Sequence, residues 1–157
     1  EKSENELKDG MDISLLQVLV PENEQQETVV HWSGANNPLW IIRSLGDVVP
    51  EVPGNVELIE IKADKQPVGK YVERRPFTTH KLSLKKGDRL YLFTDGYADQ
   101  FGGEKGKKFK YKQLEELLLS TFSSSLEEQK HSLEKAFDSW KKSYEQVDDV
   151  CVIGIQI

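Results

Sequence analysis

The stretch that decides the fold is GDRLYLFTDGYADQFGG, residues 87–103. Its apolar part predicts a strand over Asp88–Thr94. This strand delivers Asp95 at its C-terminal edge, and Gly96 lets the backbone turn there because it has no Cβ. A carboxylate in that position is held by a rigid element and stays open to solvent. The stretch therefore indicates a candidate functional carboxylate at a strand end.

A second acidic feature, the pair Asp148 and Asp149, stands directly before the apolar segment VCVIGIQI, residues 150–157, which predicts the last strand. Adjacent carboxylates repel each other unless a cation neutralises them. Oxygen ligands suit Mg²⁺ or Mn²⁺, and the sequence has no Cys/His cluster with the spacing of a zinc site. A T-D-G tripeptide is also common in turns, and an acidic pair is often only solvated, so spacing alone leaves both interpretations open.

Upstream of these segments the pattern predicts strands. The loop Gly34–Pro38 predicts a hairpin connection, because glycine and asparagine tolerate positive φ and proline blocks a helix. The basic turn Lys85–Gly87 predicts a second hairpin. The chain is therefore expected to begin as a β-meander. The predicted strands are Met11–Val20, Thr28–Ser33, Leu39–Arg43, Val56–Lys62 and Thr78–Leu84.

Residues 111–144 are predicted to form two helices, Lys112–Leu119 and Leu126–Tyr144. Apolar and aromatic residues recur on one face of each helix, which favours packing against a sheet. Ser125 and Glu128 have the spacing of a capping box, which satisfies the free amides at a helix start. Both predicted helices lie between the strand that precedes Asp95 and the last strand.

The composition limits the classes of binding partner and the cellular compartment that are expected for this protein. The 157 residues include 21 Lys+Arg and 27 Asp+Glu, and the net charge of −6 makes nucleic acid and anionic membrane poor partners. No apolar run approaches the roughly 20 residues that span a bilayer. The single Cys151 suits a reducing compartment, so a cytoplasmic location is expected. The only methionine, Met11, lies inside a predicted strand, which indicates a piece of a longer protein.

Other catalytic signatures are weak or absent. His31, His80 and His131 have no local partner that would make a base or a ligand, and each is interpreted as structural. No nucleophile elbow, P-loop or dinucleotide fingerprint occurs. A run of lysines after Gly103 could attract a phosphorylated partner or could be only a solvated loop. These lysines are Lys105, Lys107, Lys108, Lys110 and Lys112.

Five blocks of sequence carry a family resemblance. They are DGMDISL (9–15), GANNPLW (34–40), ADKQPVG (63–69), GDRLYLFTDGYADQFGG (87–103) and DDVCVIGI (148–155). In this order they closely resemble the C-terminal portion of the SpoIIE-like serine phosphatases, which belong to the metal-dependent PPM family of bacterial protein phosphatases. The resemblance covers essentially the whole chain, and the conjunction of the blocks is far more specific than any one of them.

The resemblance implies an α+β fold, a PPM-type antiparallel β-sandwich of two sheets flanked by helices, with two Mn²⁺ or Mg²⁺ ions at one end. Asp95 matches the aspartate of the family's T-D-G motif, and Asp148 matches the first acid of its D-[DN] motif. Both are therefore implied metal ligands, with Asp149 assisting or orienting them. No catalytic side chain beyond these ligands is implied, because in such sites a metal-activated water attacks phosphorus in line.

The resemblance is incomplete at the N-terminal side. The family's other metal ligands lie in an upstream aspartate-bearing strand and an Asp-x-x-Gly-His-Gly segment, and neither motif occurs here. Asp9 and Asp12 match the start of a later strand and do not replace them. We therefore expect residues 1–157 to be the C-terminal part of one domain, with residues 1–10 ending a preceding helix or linker. Cys151 stands where the motif more often has threonine and is expected to be a small buried replacement.

The implied function is hydrolysis of phosphoserine or phosphothreonine on a regulatory partner such as a phosphorylated anti-sigma-factor antagonist, the chain alone being weak or inactive. An upstream sensor domain in the same polypeptide is also implied, so the chain would be the cytoplasmic part of a larger sensor protein. One alternative is a non-catalytic regulatory or binding module that keeps the fold. Another is an unrelated β-rich ligand-binding domain, in which Asp95 and Asp148 would lie far apart. Strand edges left exposed would favour self-association.

Overall fold

Two antiparallel sheets form the centre of the fold in this computed structural model, which describes residues 10–21, 23, 27–46, 55–69 and 75–157. The strands are β1 (Gly10–Met11), β2 (Ser14–Leu19), β3 (Thr28–Gly34), β4 (Leu39–Ser44), β5 (Val56–Ile61), β6 (Val68–Gly69), β7 (His80–Leu84), β8 (Arg89–Phe93), β9 (Phe101–Gly102), β10 (Lys107–Lys108) and β11 (Val152–Gln156). One sheet has the order β2-β3-β7, and the other has the order β11-β8-β4-β5. The pairs β1-β6 and β9-β10 form two short ribbons.

The alternation of side chains along β4 and β8 separates two hydrophobic layers. Ile41 and Leu90 face the three-stranded sheet, where they pack with Trp32 of β3. Their neighbours Trp40 and Tyr91 face the opposite way and pack against the helices. A strand with apolar residues on both faces is stable only in the middle of a layered fold. The two strands therefore form the central layer, which confirms the predicted α+β sandwich flanked by helices.

Neither predicted hairpin forms, because in each case the two flanking strands belong to different sheets. The segment Gly34–Pro38 leads from β3 in one sheet to β4 in the other, and Lys85–Gly87 leads from β7 to β8 in the same manner. The predicted tight turn does form, with Gly87 at φ 89° and the Asp88 amide donating to the Lys85 carbonyl at 3.0 Å. Turn residues fix only local geometry, whereas burial on both faces draws β4 and β8 together. The β-meander accordingly reduces to the pairs β2-β3 and β4-β5.

The helices are α1 (Gly96–Asp99), α2 (Tyr111–Ser120) and α3 (Leu126–Lys141). The short α1 is not anticipated by the sequence pattern. The capping box at α3 is confirmed, because the Ser125 hydroxyl accepts from the Glu128 amide and the Glu128 carboxylate accepts from the Ser125 amide. The helix ends at Lys141, before the predicted end at Tyr144.

The predicted strand Met11–Val20 divides into β1 and β2, because Gly10 and Met11 pair with β6 instead of continuing along β3. The predicted helix end or linker at 1–10 lies outside the described residues, Asp9 included, except for Gly10, which belongs to β1. Across the described ranges the helices are too short or too polar to span a bilayer.

Candidate metal site

The pairing of β8 with β11 brings the two acidic segments to one end of the sheet. In this antiparallel pair Phe93, the last residue of β8, lies opposite Val152, the first residue of β11. Asp95 follows β8 closely, and Asp148 and Asp149 closely precede β11. Acidic residues far apart in sequence therefore lie at the same end of the sheet.

Thr94 joins the two segments by three hydrogen bonds. Its amide donates to the Cys151 carbonyl at 3.0 Å, and its hydroxyl donates to the Asp149 carbonyl at 2.7 Å. The same hydroxyl accepts from the Cys151 amide at 3.0 Å. The backbone positions next to Asp95 and Asp149 are therefore held in a fixed relation before any ligand binds.

Gly96 permits the close approach of these segments. A Cβ at this position would collide with the carbonyl of Asp149 and lie 3.0 Å from its carbonyl carbon. Asp95 caps the short helix α1, since its carbonyl accepts from the Asp99 amide at 2.9 Å. The glycine of the T-D-G motif is thus required by packing against the second acidic segment.

The surroundings of Asp95 disfavour the ionised form of its carboxyl group. Burial is the largest cause that raises the pKa of the Asp95 carboxyl above its ordinary value. The negative charges of Asp148 and Asp99 raise this pKa further, and Asp12 has a smaller effect in the same direction. A group of carboxylates that repel one another is stabilised by a bound cation.

The donor set fits a hard divalent cation in kind but supplies only part of a coordination shell. Asp95 and the exposed pair Asp148 and Asp149 offer carboxylate oxygens, the ligands that Mg²⁺ and Mn²⁺ prefer. Within the part of the chain that the structure describes, no three His, Cys, Asp or Glu side chains are grouped so as to hold a metal ion. Among the described residues, these aspartates alone therefore do not complete the coordination shell of such a cation.

Two further residues lie in this region: Tyr111, for which the sequence pattern gives no signal, and Asp12, which the sequence analysis sets aside as a ligand. Tyr111, at the start of α2, has its pKa raised to about 12, first by burial and then by the charges of Asp95 and Asp99. Asp12 lies near enough to act on Asp95, and its carboxylate accepts from the Asn36 amide group at 2.6 Å. Both residues come from segments remote in sequence, so only the fold brings them to the site.

The expectation that Cys151 is buried is wrong, because its side chain is exposed. It lies just before β11, at the edge of the four-stranded sheet, where β11 has β8 as its one neighbour among the described strands. The histidines make local contacts instead of joining the acidic site. His31 contacts the Gln17 side chain at 3.2 Å, His80 stacks near Trp32, and His131 contacts a carbonyl one turn earlier in α3.

Comparisons with known proteins identify a family for the chain and similar solved folds. The family described as Stage II sporulation protein E (SpoIIE) matches residues 4–157. The SiaA-PP2C domain of Pseudomonas aeruginosa is similar in structure, with a TM-score of 0.68 at 23% identity over 82% of this chain and 46% of that chain. The phosphatase domain of SpoIIE from Bacillus subtilis gives a TM-score of 0.53 at 16% identity over 96% of this chain and 59% of that chain.

A longer SpoIIE structure from the same organism, with the PP2C phosphatase domain and a fragment of the regulatory domain, gives a TM-score of 0.58 at 17% identity over 84% of this chain and 35% of that chain. No curated protein matches the chain. At these identities the similarity shows the fold. The chain spans about half the length of the first two solved domains that it matches, 46% and 59%.

Proposed function

Since the chain belongs to the SpoIIE family and its fold is similar to solved PP2C phosphatase domains, we propose that it forms part of a metal-dependent phosphatase acting on phosphoserine or phosphothreonine in a protein. The observation that carries the proposal is that the pairing of β8 with β11 brings Asp95 and Asp148 to the same end of the sheet, near enough for the charge of Asp148 to raise the pKa of Asp95. This proximity argues against an unrelated β-rich binding domain, in which the two carboxylates would lie far apart.

In this proposal Asp95 and Asp148 hold Mn²⁺ or Mg²⁺, and Asp149 assists or orients them. When bound in pairs, such ions lower the pKa of a bound water and neutralise phosphoryl oxygens. The chain's own contribution is to fix the carboxylates, because Thr94 sets the spacing of the segments and Gly96 allows their contact. The remaining ligands are proposed to come from upstream sequence. A crystal of the Bacillus subtilis SpoIIE phosphatase domain, 16% identical with a TM-score of 0.52, was presoaked with manganese, which supports the choice of metal.

The proposed partners are those that the family resemblance implies. We infer that the substrate is a phosphorylated regulatory protein, such as an anti-sigma-factor antagonist. We also infer that a sensor domain upstream in the same polypeptide controls the phosphatase in the cytoplasm. The chain without the upstream ligands is proposed to have weak activity or none.

A non-catalytic module that keeps the phosphatase fold is the second candidate. It is favoured by one observation, that the described residues contain no three-ligand group for a metal ion. The two candidates differ in what upstream sequence adds. A phosphatase gains its missing ligands there, whereas a regulatory module gains none.

The test is Mn²⁺-dependent hydrolysis of a phosphoserine peptide by this chain and by a version extended upstream by about 80 residues, a length set by typical domain size. In the extended protein, Asp95→Asn and Asp148→Asn should each reduce turnover by about 100-fold or more, since even residues behind metal ligands can cost about 100-fold. Asp138→Asn, an exposed carboxylate on α3, is the matched control and should leave turnover unchanged.

Activity confined to the extended protein and lost in both site variants supports the phosphatase. Absence of turnover at either length, together with absence of Mn²⁺ binding by calorimetry, supports the non-catalytic module.

A further inference from the structure

A strongly basic hairpin stands beside the acidic site. It comprises residues 101–110, in which β9 pairs with β10. We call these residues the basic hairpin. They contain four lysines and one acid, Glu104, and Lys112 follows at the start of α2, in a chain whose net charge is −6. All four lysines are exposed, and they are Lys105, Lys107, Lys108 and Lys110.

The basic hairpin is held firmly on α3. The Gly103 amide donates to the Trp140 carbonyl at 2.8 Å, and a side chain at Gly102 would collide with the Trp140 backbone. The Trp140 indole donates to the Gln100 carbonyl at 3.1 Å and packs edge-on against Phe109. A solvated loop would lack such anchors. The backbone that carries the lysines is therefore a fixed platform, so that ligand binding has to order only the lysine side chains.

The platform adjoins the candidate metal site. The Lys110 amide donates to the Ala98 carbonyl at 2.7 Å, and the Lys108 ammonium lies 2.8 Å from the Asp99 carboxylate. Both partners belong to α1, a helix of four residues and about 6 Å that starts directly after Asp95. The positive surface thus begins about one helical turn from the proposed catalytic centre.

We propose that the basic hairpin binds an acidic segment of the phosphoprotein substrate, next to its phosphorylated residue. This inference rests on the proposed phosphatase function. Exposed lysines complement Asp and Glu side chains, and the half-exposed ring of Phe101 lies 5.9 Å below the Lys108 ammonium as an adjoining apolar contact. A uniformly charged polyanion would also meet the carboxylates of Asp99 and Asp148, whereas a short acidic segment is confined to the hairpin.

The probes are a fluorescent peptide with one phosphoserine followed by a run of glutamates, and the same peptide with glutamines. Binding to this chain is measured by anisotropy at low and at physiological salt. The test variant is the pair Lys105→Glu and Lys107→Glu, which leaves the Lys108 ion pair intact. The matched control is the pair Lys85→Glu and Lys86→Glu, exposed at the opposite end of β8 from Asp95.

The glutamate peptide should bind about tenfold more tightly than the glutamine peptide, a difference that a few exposed charge pairs can supply. The hairpin variant should remove this preference, and the control pair should retain it. Equal weakening by both pairs, an unchanged preference in the hairpin variant, or tighter binding of an RNA oligonucleotide or anionic vesicles than of the glutamate peptide would overturn the proposal.

Kinetics in the upstream-extended protein separate this proposal from the proposed function. The hairpin variant should raise KM for the glutamate peptide about tenfold and leave kcat unchanged, because its lysines bind the substrate away from the reacting phosphate. Turnover with an unchanged KM in the hairpin variant would overturn the proposed docking surface, while the proposed phosphatase function would remain supported. Hairpin-dependent binding without any turnover would support acidic-segment docking and reject the phosphatase.

Discussion

The Thr94 hydroxyl donates a 2.7 Å hydrogen bond to the main-chain carbonyl of Asp149 and thereby ties the end of β8 to the start of β11. The two acidic segments are not neighbours through the sheet ladder itself, which ends at Phe93 and Val152. Thr94 extends the connection beyond the ladder to the residues that carry the carboxylates. The threonine of the T-D-G motif is thus a positioning residue.

The first prediction concerns this hydrogen bond. Thr94→Val keeps the shape of the side chain but leaves the Asp149 carbonyl and the Cys151 amide without their partner. In the upstream-extended protein we expect Mn²⁺ affinity, measured by calorimetry, to fall about tenfold, as for other residues that orient metal ligands. The loss of folding stability should be only about 1 kcal/mol. Thr79→Val, at an exposed residue, is the control, and equal affinity in both variants would contradict the positioning role.

The second prediction concerns a buried carboxylate at the other end of β8. Asp88 is 2% exposed, and it accepts from the Arg43 guanidinium at 2.9 Å and from the Lys85 amide at 2.9 Å. Arg43→Ala leaves this carboxylate without its ion-pair partner, so the free energy of unfolding in urea should fall by about 3 kcal/mol. Lys130→Ala, which removes an exposed pair with Glu134, should cost less than about 0.5 kcal/mol. Comparable losses in the two variants would refute the structural importance of the pair.

The third prediction concerns the capping box of α3. Hydrogen bonds from the Ser125 amide and hydroxyl lower the pKa of the Glu128 carboxyl below its ordinary 4.5. The ionised carboxylate therefore stabilises the fold above pH 4.5, and this stabilisation is lost as the pH falls through the lowered pKa. Wild type should be more stable than Glu128→Gln at pH 7, and the difference should vanish at strongly acidic pH.

Thermal unfolding of wild type and Glu128→Gln, from neutral to strongly acidic pH, measures this difference in stability. Glu127→Gln is the matched control, since it removes a charge from the same helical turn without the two capping hydrogen bonds. Ser125→Ala should cost about 1 kcal/mol, the usual value of an N-cap hydroxyl. A pH-independent difference between wild type and Glu128→Gln would contradict the assigned hydrogen bonds.

The sequence could predict the strand that leads to Asp95, the strand that follows Asp149, and the capped helix after Ser125, because each rests on a local pattern. It could not predict that β8 and β11 pair, although the family resemblance implied a common site. The two hairpin predictions are wrong because the turn residues of Gly34–Pro38 and Lys85–Gly87 do not specify which sheet the next strand joins. The signal for the correct topology is the doubly apolar pattern of β4 and β8.

A local sequence pattern could not predict the part of the site that distant segments contribute. Asp12 and Tyr111 approach Asp95 only through the packing of β1, β2 and α2 around the sheet ends. The predicted burial of Cys151 is also wrong, because an apolar run has the same sequence pattern in a central strand and in an edge strand. Position in the sheet decides burial, and that position depends on long-range pairing.

The last prediction concerns the edges of the two sheets. Among the described strands, β2 has one neighbour, β3, and β11 has one neighbour, β8. A groove of about 460 Å³ runs along these edges, and its lining includes Leu15, 67% exposed, and Ile153, 50% exposed. Unpaired strand edges with exposed apolar side chains favour pairing with another chain. We therefore expect this chain alone to self-associate through this groove.

Sedimentation velocity over a wide range of concentrations measures this association. The pair Leu15→Lys and Ile153→Lys should shift the chain toward monomer, because charges on an edge oppose strand pairing. Leu45→Lys, at a residue 58% exposed outside the groove, should leave the association unchanged. A wild-type chain that stays monomeric at high concentration would exclude these edges as an interface between copies. The upstream-extended protein should associate less than the chain alone if its additional residues cover the same groove.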